Sequence, residues 1–473
     1  TGDIKAADSA NTEAIQILEK ADQTASEENE SRESDSDANR AVAQARRRML
    51  ARAYLYQALF VAREGNPMGA LEWFNRSEQI LTDELAITPD DVQLQRSLAE
   101  VHAAIGFHWT GSPAPERGRP YVEQSLQRRL QIVQNGDANE YDEHNLARSH
   151  WDMGYAYRLD AAKQSGQVRN DLFDNALSEY EKSLAILNKL VEQHPTSLRF
   201  QQTLGEVHAS IGTIHFNRNK RGNLSADERR ANDLKALEAY KQSLAIRERM
   251  VQQNPGVGRL EYILSRGYMQ VATQQKLLGD QDDALANYNR TLAIRRRMLE
   301  ENEGDIRMQT GMATLLSNIG LIHLDRENGA TSALSHFQEA EQIQREVVER
   351  APHIPRNRYL LANHLLNIGL AKRYNGEYRA SANQILAAKK ATPGDPEQML
   401  VIARHQAKLA ALAKDADDEA KDEILTDAIQ TIRGLLNAET IDLEELSHPD
   451  FDFIRSIPAI KELLTSDASD TKR

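Results

Sequence analysis

Residues 236–246 read Ala-Leu-Glu-Ala-Tyr-Lys-Gln-Ser-Leu-Ala-Ile. Two small residues, Ala236 and Ser243, flank the large Tyr240 at spacings of four and three, so all three share one face of an α-helix. Closely similar sequences recur around Tyr180 and Tyr288, and less similar ones occur around Phe74, Phe337 and Ile385. A large side chain between two small ones lets a neighbouring helix approach closely and interlock. The stretch therefore predicts a tightly packed helix that is repeated along the chain.

A constant distance separates the first small residue of this helix from a second small residue further along the chain. The first small residues are Ala70, Gly118, Ala176, Ala236, Ala284 and Ala333. Thirty-six residues later stand Gly106, Gly154, Gly212, Ala272, Gly320 and Gly369, each preceded by an apolar residue such as Ile105. Repeats of this length are typical of a solenoid, in which stacked supersecondary units bury their apolar faces against one another.

The repeated pattern resembles the tetratricopeptide repeat (TPR). Its elements are the apolar-glycine pair, a small residue twelve positions later, an aromatic four further on and a downstream proline. The resemblance covers residues 41–437 with about eight helix pairs and implies an all-α fold, an α-solenoid wound as a right-handed superhelix. Residues 1–40 are interpreted as a lone N-terminal helix plus an acidic linker at 26–37, and residues 438–473 as capping helices with a frayed tail.

The repeats are longer than the usual 34 residues of a TPR. Ala70 and Gly118, which begin successive repeats, are 48 residues apart. The positions of the prolines indicate that each of the two helices is longer by one heptad. A heptad insertion rotates the packing face by only about 20°, so the longer helix keeps the same packing face. We therefore expect helices of about 20–25 residues.

Further residues between Gly154 and Ala176, and between Gly212 and Ala236, predict two long loops at 160–171 and 217–231. Ser225 and Glu228 predict a capping box at the end of the second loop.

Composition and charge narrow the functional classes. The chain of 473 residues contains no cysteine and carries a net charge of −13. Both ends are acidic, and residues 41–414 carry about +4. Disulfides and thiolate chemistry are excluded, no apolar run predicts a membrane contact, and the overall acidity disfavours non-specific nucleic-acid binding. The first residue is Thr1, so we interpret the chain as part of a longer protein. Its compartment and oligomeric state stay open.

The search for catalytic chemistry is negative. The sequence has no phosphate-binding glycine loop, zinc-protease motif, nucleophile elbow or dinucleotide fingerprint, so we expect no enzyme activity, cofactor or metal in this segment. Recurrent histidines near the glycines are expected to be core-packing residues: His102, His150, His208, His215 and His323. Arginine clusters end several second helices and are expected to form a solvated face: Arg128-Arg129, Arg247 with Arg249, and Arg295 to Arg297.

TPR ligands usually lie on the inner face of the first helices, one turn either side of the apolar-glycine pair, so the resemblance places a ligand groove there. In this chain those positions hold Phe107, Arg148, Trp151, Tyr155, Arg158, Phe216, Arg266 and Met269. Aromatic residues and arginine are enriched in interface hot spots, which favours a protein or extended peptide as the ligand. The Lys/Asn pattern of TPR domains that clamp a C-terminal carboxylate is absent.

The leading functional hypothesis is a non-catalytic protein-binding scaffold or sensor. The wording Ser243-Leu-Ala-Ile-Arg-Glu-Arg-Met-Val251 followed by Asn254-Pro255 resembles the TPR tails of bacterial membrane-anchored Ser/Thr kinases. That resemblance implies a place in a larger signalling protein, on either the cytoplasmic or the extracytoplasmic side of a membrane. Two alternatives stay open: a solenoid that binds RNA or another polyanion through its +4 middle, and an architectural module for self-assembly.

Overall fold

The computed structural model of the protein describes residues 2–30, 37–112, 114–136, 138–220, 224–301, 304–413, 421–438, 446 and 448–457. The described residues contain helices and turns but no strand, which confirms the all-α repeat class. The helices are α1 (Gly2–Glu30), α2 (Asp37–Arg63), α3 (Pro67–Ile87), α4 (Val92–Thr110), α5 (Arg119–Gln134), α6 (Glu140–Ala162), α7 (Gly166–Gln193), α8 (Leu198–Arg218), α9 (Ala226–Gln253), α10 (Gly258–Leu278), α11 (Gln281–Glu301), α12 (Ile306–Leu324), α13 (Ala330–Arg350), α14 (Pro355–Tyr374), α15 (Tyr378–Ala391), α16 (Pro396–Ala413), α17 (Lys421–Asn437) and α18 (Asp452–Arg455). Within this part of the chain, no helix is both long and apolar enough to cross a membrane.

Helices α2 to α17 form consecutive pairs. Each even-numbered member, here called the first helix, carries the apolar-small motif, and the following odd-numbered member, the second helix, carries the small-large-small face. Most helices from α3 to α14 span about five to eight turns, in keeping with the predicted lengthening. The shorter α15, with 14 residues, follows from the reduced distance between Ser381 and Pro393.

The chain divides into two compact units, Thr1–Leu260 (unit 1) and Glu261–Arg473 (unit 2). In unit 1 the core consists of successive apolar clusters under α2 to α9, and α1 packs through Ile15 onto the cluster containing Leu50 and Tyr54. The predicted linker at 26–37 lies partly outside the described residues, and its described part up to residue 30 continues α1.

At its C-terminal end, unit 2 has a core that extends beyond the last helix pair. Phe451 and Ile454 are fully buried in the cluster formed by α14 to α17. Phe451 ends a short 3-10 turn at Pro449–Phe451, and Ile454 lies in α18. Two further residues that the sequence suggested for the cap, Ile460 and Leu463, lie outside the described residues.

Three of the recurrent glycines, Gly154, Gly212 and Gly320, lie under the aromatic side chain of their own helix pair. A methyl group built at Gly154 would lie 2.5 Å from Cε1 of Tyr180, and one at Gly212 would lie 2.7 Å from the ring of Tyr240. In unit 2, Gly320 meets Phe337 in the same way at 2.5 Å. Because carbon atoms do not approach so closely without strain, these positions exclude any side chain. The glycine is therefore required by the packing of the ring across the pair.

In the five pairs from α2/α3 to α10/α11, a buried hydroxyl group joins the two helices at a second level. The donor is the second small residue of the small-large-small face on the second helix. The acceptor is a main-chain carbonyl of the first helix, seven residues before the glycine or alanine of that helix. The bonds are Ser77 to Ala51 (2.6 Å), Ser125 to Ala99 (2.8 Å), Ser183 to Ala147 (2.7 Å), Ser243 to Gly205 (2.7 Å) and Thr291 to Ser265 (3.3 Å). A buried hydroxyl must be hydrogen-bonded, so these bonds specify the axial register of the pair.

The expectation that the arginine clusters form a solvated face is wrong for one member of each cluster. Arg129, Arg247 and Arg295 are all at least nine-tenths buried. The Nη1 atom of Arg129 donates to the main-chain oxygen of Asn145 at 2.9 Å, and Arg295 does the same to Gly311. Each bond runs from a second helix to the next first helix, sixteen residues later. Arg129 and Arg295 thus link neighbouring repeats, whereas Arg249, Arg296 and Arg297 are exposed and Arg128 is half-buried.

The two predicted loops are mostly helical. Residues 166–171 belong to α7 and residues 226–231 to α9, and each of these helices reaches 28 residues. The connection between α6 and α7 is only three residues long. The inserted residues therefore lengthen the second helices, because they satisfy their main-chain hydrogen bonds within the helix. The predicted capping box of Ser225 and Glu228 is confirmed at the start of α9; residues 221–223 lie outside the described part.

We expect opposite effects from two glycine substitutions in the same helix, α8. Gly212→Ala should lower the free energy of unfolding by about 1–2 kcal/mol, because the overlap with Tyr240 costs more than the roughly 1 kcal/mol gained in helix propensity. Gly205→Ala is the control, since its methyl group would meet only Ile246 Cγ2, at 3.5 Å; it should be neutral or stabilising. Urea denaturation followed by circular dichroism measures both. Equal stability of the two variants would contradict the close-approach explanation.

Candidate binding groove

A cavity of about 670 Å³ opens on the first helices of unit 1. Its walls come from α2, α4, α5, α6 and α8, and we call it the α4–α6 groove because these two helices contribute most of its lining. The side chains that give the groove its chemical character are Leu59, Arg96, Glu100, Phe107, Tyr141, Arg148, Asp152 and Arg199. The groove has the size and concave form expected of a ligand site.

One side of the groove is apolar. Leu59 and Phe107 directly follow the small residue of their helices, and they are 43% and 63% exposed. Tyr155 occupies the same position on α6, where it is half-buried, with the guanidinium of Arg158 4.4 Å from its ring centroid. The three side chains lie on successive first helices, which are spaced by roughly 10 Å in a packed array. They form a row of apolar anchors across three repeats.

The other side of the groove is charged. Arg96 forms a two-point ion pair with Asp142, with Nε to Oδ1 at 2.8 Å and Nη2 to Oδ2 at 2.5 Å. The guanidinium of Arg199 lies over the ring of Tyr141 at 5.1 Å. Arg148 is exposed. Charged and aromatic groups thus alternate near the N-terminal ends of α6 and α8.

Burial changes the titration of two groups that line the groove, Asp152 and Arg129, and of the nearby His144. Burial raises the pKa of Asp152 to about 6, although Arg148 and Arg129 oppose the shift. Burial lowers the pKa of Arg129 to about 10, so this guanidinium still carries its charge at neutral pH. Burial, reinforced by Arg199, Arg148 and Arg129, lowers the pKa of His144 to about 4, and its Nε2 lies 2.9 Å from Oγ1 of Thr203. The imidazole is therefore neutral above pH 5.

The structure places the predicted groove residues of unit 1 in two positions. Phe107 and Arg148 line the α4–α6 groove. Trp151, Tyr155 and Arg158 lie on the adjoining face of α6, and the indole Nε1 of Trp151 donates to Oγ of Ser210 at 2.8 Å. Trp151 also packs against the core cluster, so it joins α6 to α8.

The remaining predicted groove residues lie apart from this cavity. Phe216, near the end of α8, is half-buried beneath the ammonium of Lys220 at 4.4 Å. Arg266 and Met269 belong to α10 in unit 2, where Arg266 is exposed and Met269 packs against a core cluster. The Sδ atom of Met269 lies 3.5 Å from Nη2 of the buried Arg295.

The histidines near the glycines pack in or beside the core. His102 and His150 are buried, and each contacts one carboxylate: His102 Nε2 lies 3.0 Å from Glu78, and His150 Nδ1 lies 2.7 Å from Glu179. His323 instead stacks on His336, with ring centroids 5.2 Å apart. Throughout the described residues, no three His, Cys, Asp or Glu side chains come together as a metal site would require.

Apart from Phe107 and Arg148, the sequence pattern missed the lining residues, and Leu59, Tyr141, Asp142 and Arg199 show why. Leu59 follows Ala58, which stands twelve residues before Ala70, so the same spacing rule could have found it. Tyr141, Asp142 and Arg199 lie more than three turns before their glycines, beyond the positions that the TPR resemblance suggests. They reach the groove because the first helices are long.

Comparisons with known proteins locate similar folds only. No family model matches the chain, and no curated protein sequence matches it. Among solved structures, the apo form of RapI is 10% identical with a TM-score of 0.47, covering 88% of this chain and 99% of that one. The S. pombe nuclear import adaptor Nro1 is 14% identical (TM-score 0.37; 67% and 99%), and the human IFIT1 dimer with PPP-AAAA is 13% identical (TM-score 0.30; 88% and 88%). At these values the partners of those proteins say nothing about the partner of this chain.

Asp152 gives a stability test of the groove floor. Because the pKa of Asp152 is raised on folding, the ionised carboxylate destabilises the native state above about pH 6. This destabilisation disappears as the pH falls towards about 4. Asp152→Asn should therefore stabilise the protein by about 1–2 kcal/mol at pH 7.5 and by clearly less at pH 5.

Urea denaturation at both pH values measures this difference. Glu100→Gln, which removes an exposed carboxylate from the same groove, reports the effect of net charge alone. A stability gain from Asp152→Asn that is unchanged between pH 7.5 and pH 5 would show that the carboxylate is not enclosed.

Proposed function

We propose that the chain is a non-catalytic scaffold that binds a segment of another protein in the α4–α6 groove. The observation that carries the proposal is the row of apolar anchors, Leu59, Phe107 and Tyr155, beside a cavity of about 670 Å³. Leu59 and Phe107 are exposed and Tyr155 is half-buried, so the row presents apolar area that a ligand can bury. The core of the repeats does not need these residues, which leaves them available for recognition.

The form of the ligand follows from the spacing of the anchors. First helices lie roughly 10 Å apart, which corresponds to three residues of an extended or polyproline-type chain. It also corresponds to two turns of an α-helix. A protein segment with an apolar residue at either spacing can contact consecutive anchors. Nucleobases can stack on Phe107 and Tyr155, but the aliphatic Leu59 offers no ring for a base, so the row as a whole favours a protein over RNA.

We also propose that the array belongs to a larger bacterial signalling protein such as a Ser/Thr kinase. This proposal is supported by the sequence of residues 243–251, which resembles the TPR tails of those kinases. In that setting the groove would recruit a partner to the signalling domain. The full-length coding sequence tests this directly, and a gene without a kinase domain would remove the proposal while leaving the groove unaffected.

Photo-crosslinking tests the groove in cells of the natural source. A p-benzoylphenylalanine at position 107 should yield a discrete crosslinked protein, whereas the same group at Met68, an exposed apolar position on the second helix α3, should not. Purified partner should then bind the Leu59→Ala, Phe107→Ala double variant at least tenfold more weakly, since two hot-spot side chains are lost. The helical circular dichroism should be unchanged.

The matched control is the Met68→Ala, Val168→Ala double variant, which removes two equally exposed apolar side chains from second helices of unit 1. Binding should be unaffected. A crosslinked product that ribonuclease degrades would instead support the polyanion alternative, and a product made of two copies of this chain would support self-assembly. Binding that survives the loss of Leu59 and Phe107 would refute the groove.

A further inference from the structure

The charges of the α4–α6 groove come from several helices. Four arginines on four different helices reach the cavity: Arg96, Arg129, Arg148 and Arg199. The carboxylates in the lining are Glu100, Asp142 and Asp152. The lining therefore carries one positive charge more than it carries negative charges, although the protein as a whole is strongly acidic.

Two of these arginines are committed to structure. Arg96 is neutralised by its two-point ion pair with Asp142. Arg129 is buried, and its Nη1 donates to the main-chain oxygen of Asn145 and to Oγ of Ser149 at 2.7 Å. These contacts connect the helices that form the groove floor. They leave the recognition of a ligand to the other two arginines.

Arg148 and Arg199 are both exposed to the groove. Among the described residues, neither guanidinium has a carboxylate oxygen within 4.0 Å. Arg199 instead lies over Tyr141, which orients its planar group. A guanidinium held by an aromatic ring keeps its in-plane N–H donors available, and those donors match the two oxygens of a carboxylate.

One apolar anchor and one of these arginines share helix α6, which fixes the distance between them. Arg148 precedes Tyr155 by seven residues on α6, which is about 10.5 Å along the helix axis. Three residues of extended chain span that distance. One ligand segment can therefore contact the anchors and the arginines at the same time.

We infer that the segment bound in the α4–α6 groove is acidic, with an Asp or Glu side chain held by Arg148 and Arg199 about three residues from a bulky apolar side chain held by the Leu59–Phe107–Tyr155 row. This inference rests on the proposed function of the groove and names the chemistry of its partner. The arginine pair supplies charge-assisted hydrogen bonds, and the apolar row supplies buried area. Basic segments would meet the excess positive charge and bind weakly.

Asp152 makes this recognition depend on pH. It is faced by Arg148 from its own helix, Arg129 from α5, Glu206 from α8 and Glu100 from α4. Because its pKa is about 6, lowering the pH from 7.5 to 5.5 removes a negative charge from the groove while ligand carboxylates stay ionised. The affinity for an acidic segment should rise about threefold over this range.

Selection from a library of random dodecapeptides displayed on phage tests the inference on the full chain. Peptides enriched on the wild-type protein, and no longer bound by Phe107→Ala, should combine Asp or Glu with Leu, Phe, Trp or Met three residues away. The Arg148→Glu, Arg199→Glu variant should bind those peptides at least tenfold more weakly. The control is Arg230→Glu with Arg249→Glu, which makes the same charge change at exposed positions on α9 and should stay within twofold of wild type.

The outcomes separate the two proposals. If groove-dependent peptides are enriched but are basic or uncharged, the acidic specificity is wrong and the binding function stands. If no enriched peptide depends on Phe107, the binding function itself fails. Asp152→Asn should bind the selected acidic peptide more tightly at pH 7.5 and show no further gain at pH 5.5; a pH dependence that persists in this variant would overturn the role of Asp152.

Discussion

The close contact between a small residue of one helix and a large side chain of its partner helix is the constraint on which the repeats of this protein depend. Tyr180 and Tyr240 lie directly on the main chain at Gly154 and Gly212, closer than any side chain would permit. This contact sets how closely the two helices of a pair approach. The buried serine hydroxyls, which donate to carbonyls of the first helix two turns away from the glycine, then specify the axial register. Each hydrogen bond contributes only about 1 kcal/mol, but a wrong register would leave several hydroxyls buried without a partner.

Close packing within the pairs determines which surface is left for binding. Several second helices direct an aromatic residue towards their own first helix, and a buried arginine such as Arg129 then extends to the next repeat. In α2 and α4 the residue that follows the alanine or glycine is exposed. At Phe107 it is a large apolar side chain with 63% exposure. The same repeated geometry that buries one face therefore displays a regular row on the other.

Much of the architecture could be predicted from spacing. The helix pairs, their lengthening and the capping box at Ser225 all follow from residue intervals, because solenoid contacts are local and repeat with the sequence. The predicted loops failed because a polar insertion adjoining a helix can extend that helix as readily as form a loop. The arginine clusters failed for a related reason: each cluster contains one buried position and one or two less buried ones, and the residue type is the same at all of them. The role of Trp151 in joining α6 to α8 depends on Ser210, 59 residues away, and no local pattern contains that contact.

The sequence by itself determined the class of the fold, since a small residue recurring at a constant 36 positions permits only a stacked helical array. It also indicated the face on which a ligand would lie. Only the tertiary structure decided which charges on that face are available. Arg96 and Arg148 look alike in the sequence, but one is neutralised by Asp142 and the other is exposed. The physical reason is that ion pairs and burial depend on atoms brought together from different repeats, whereas the helical pattern is contained within each one.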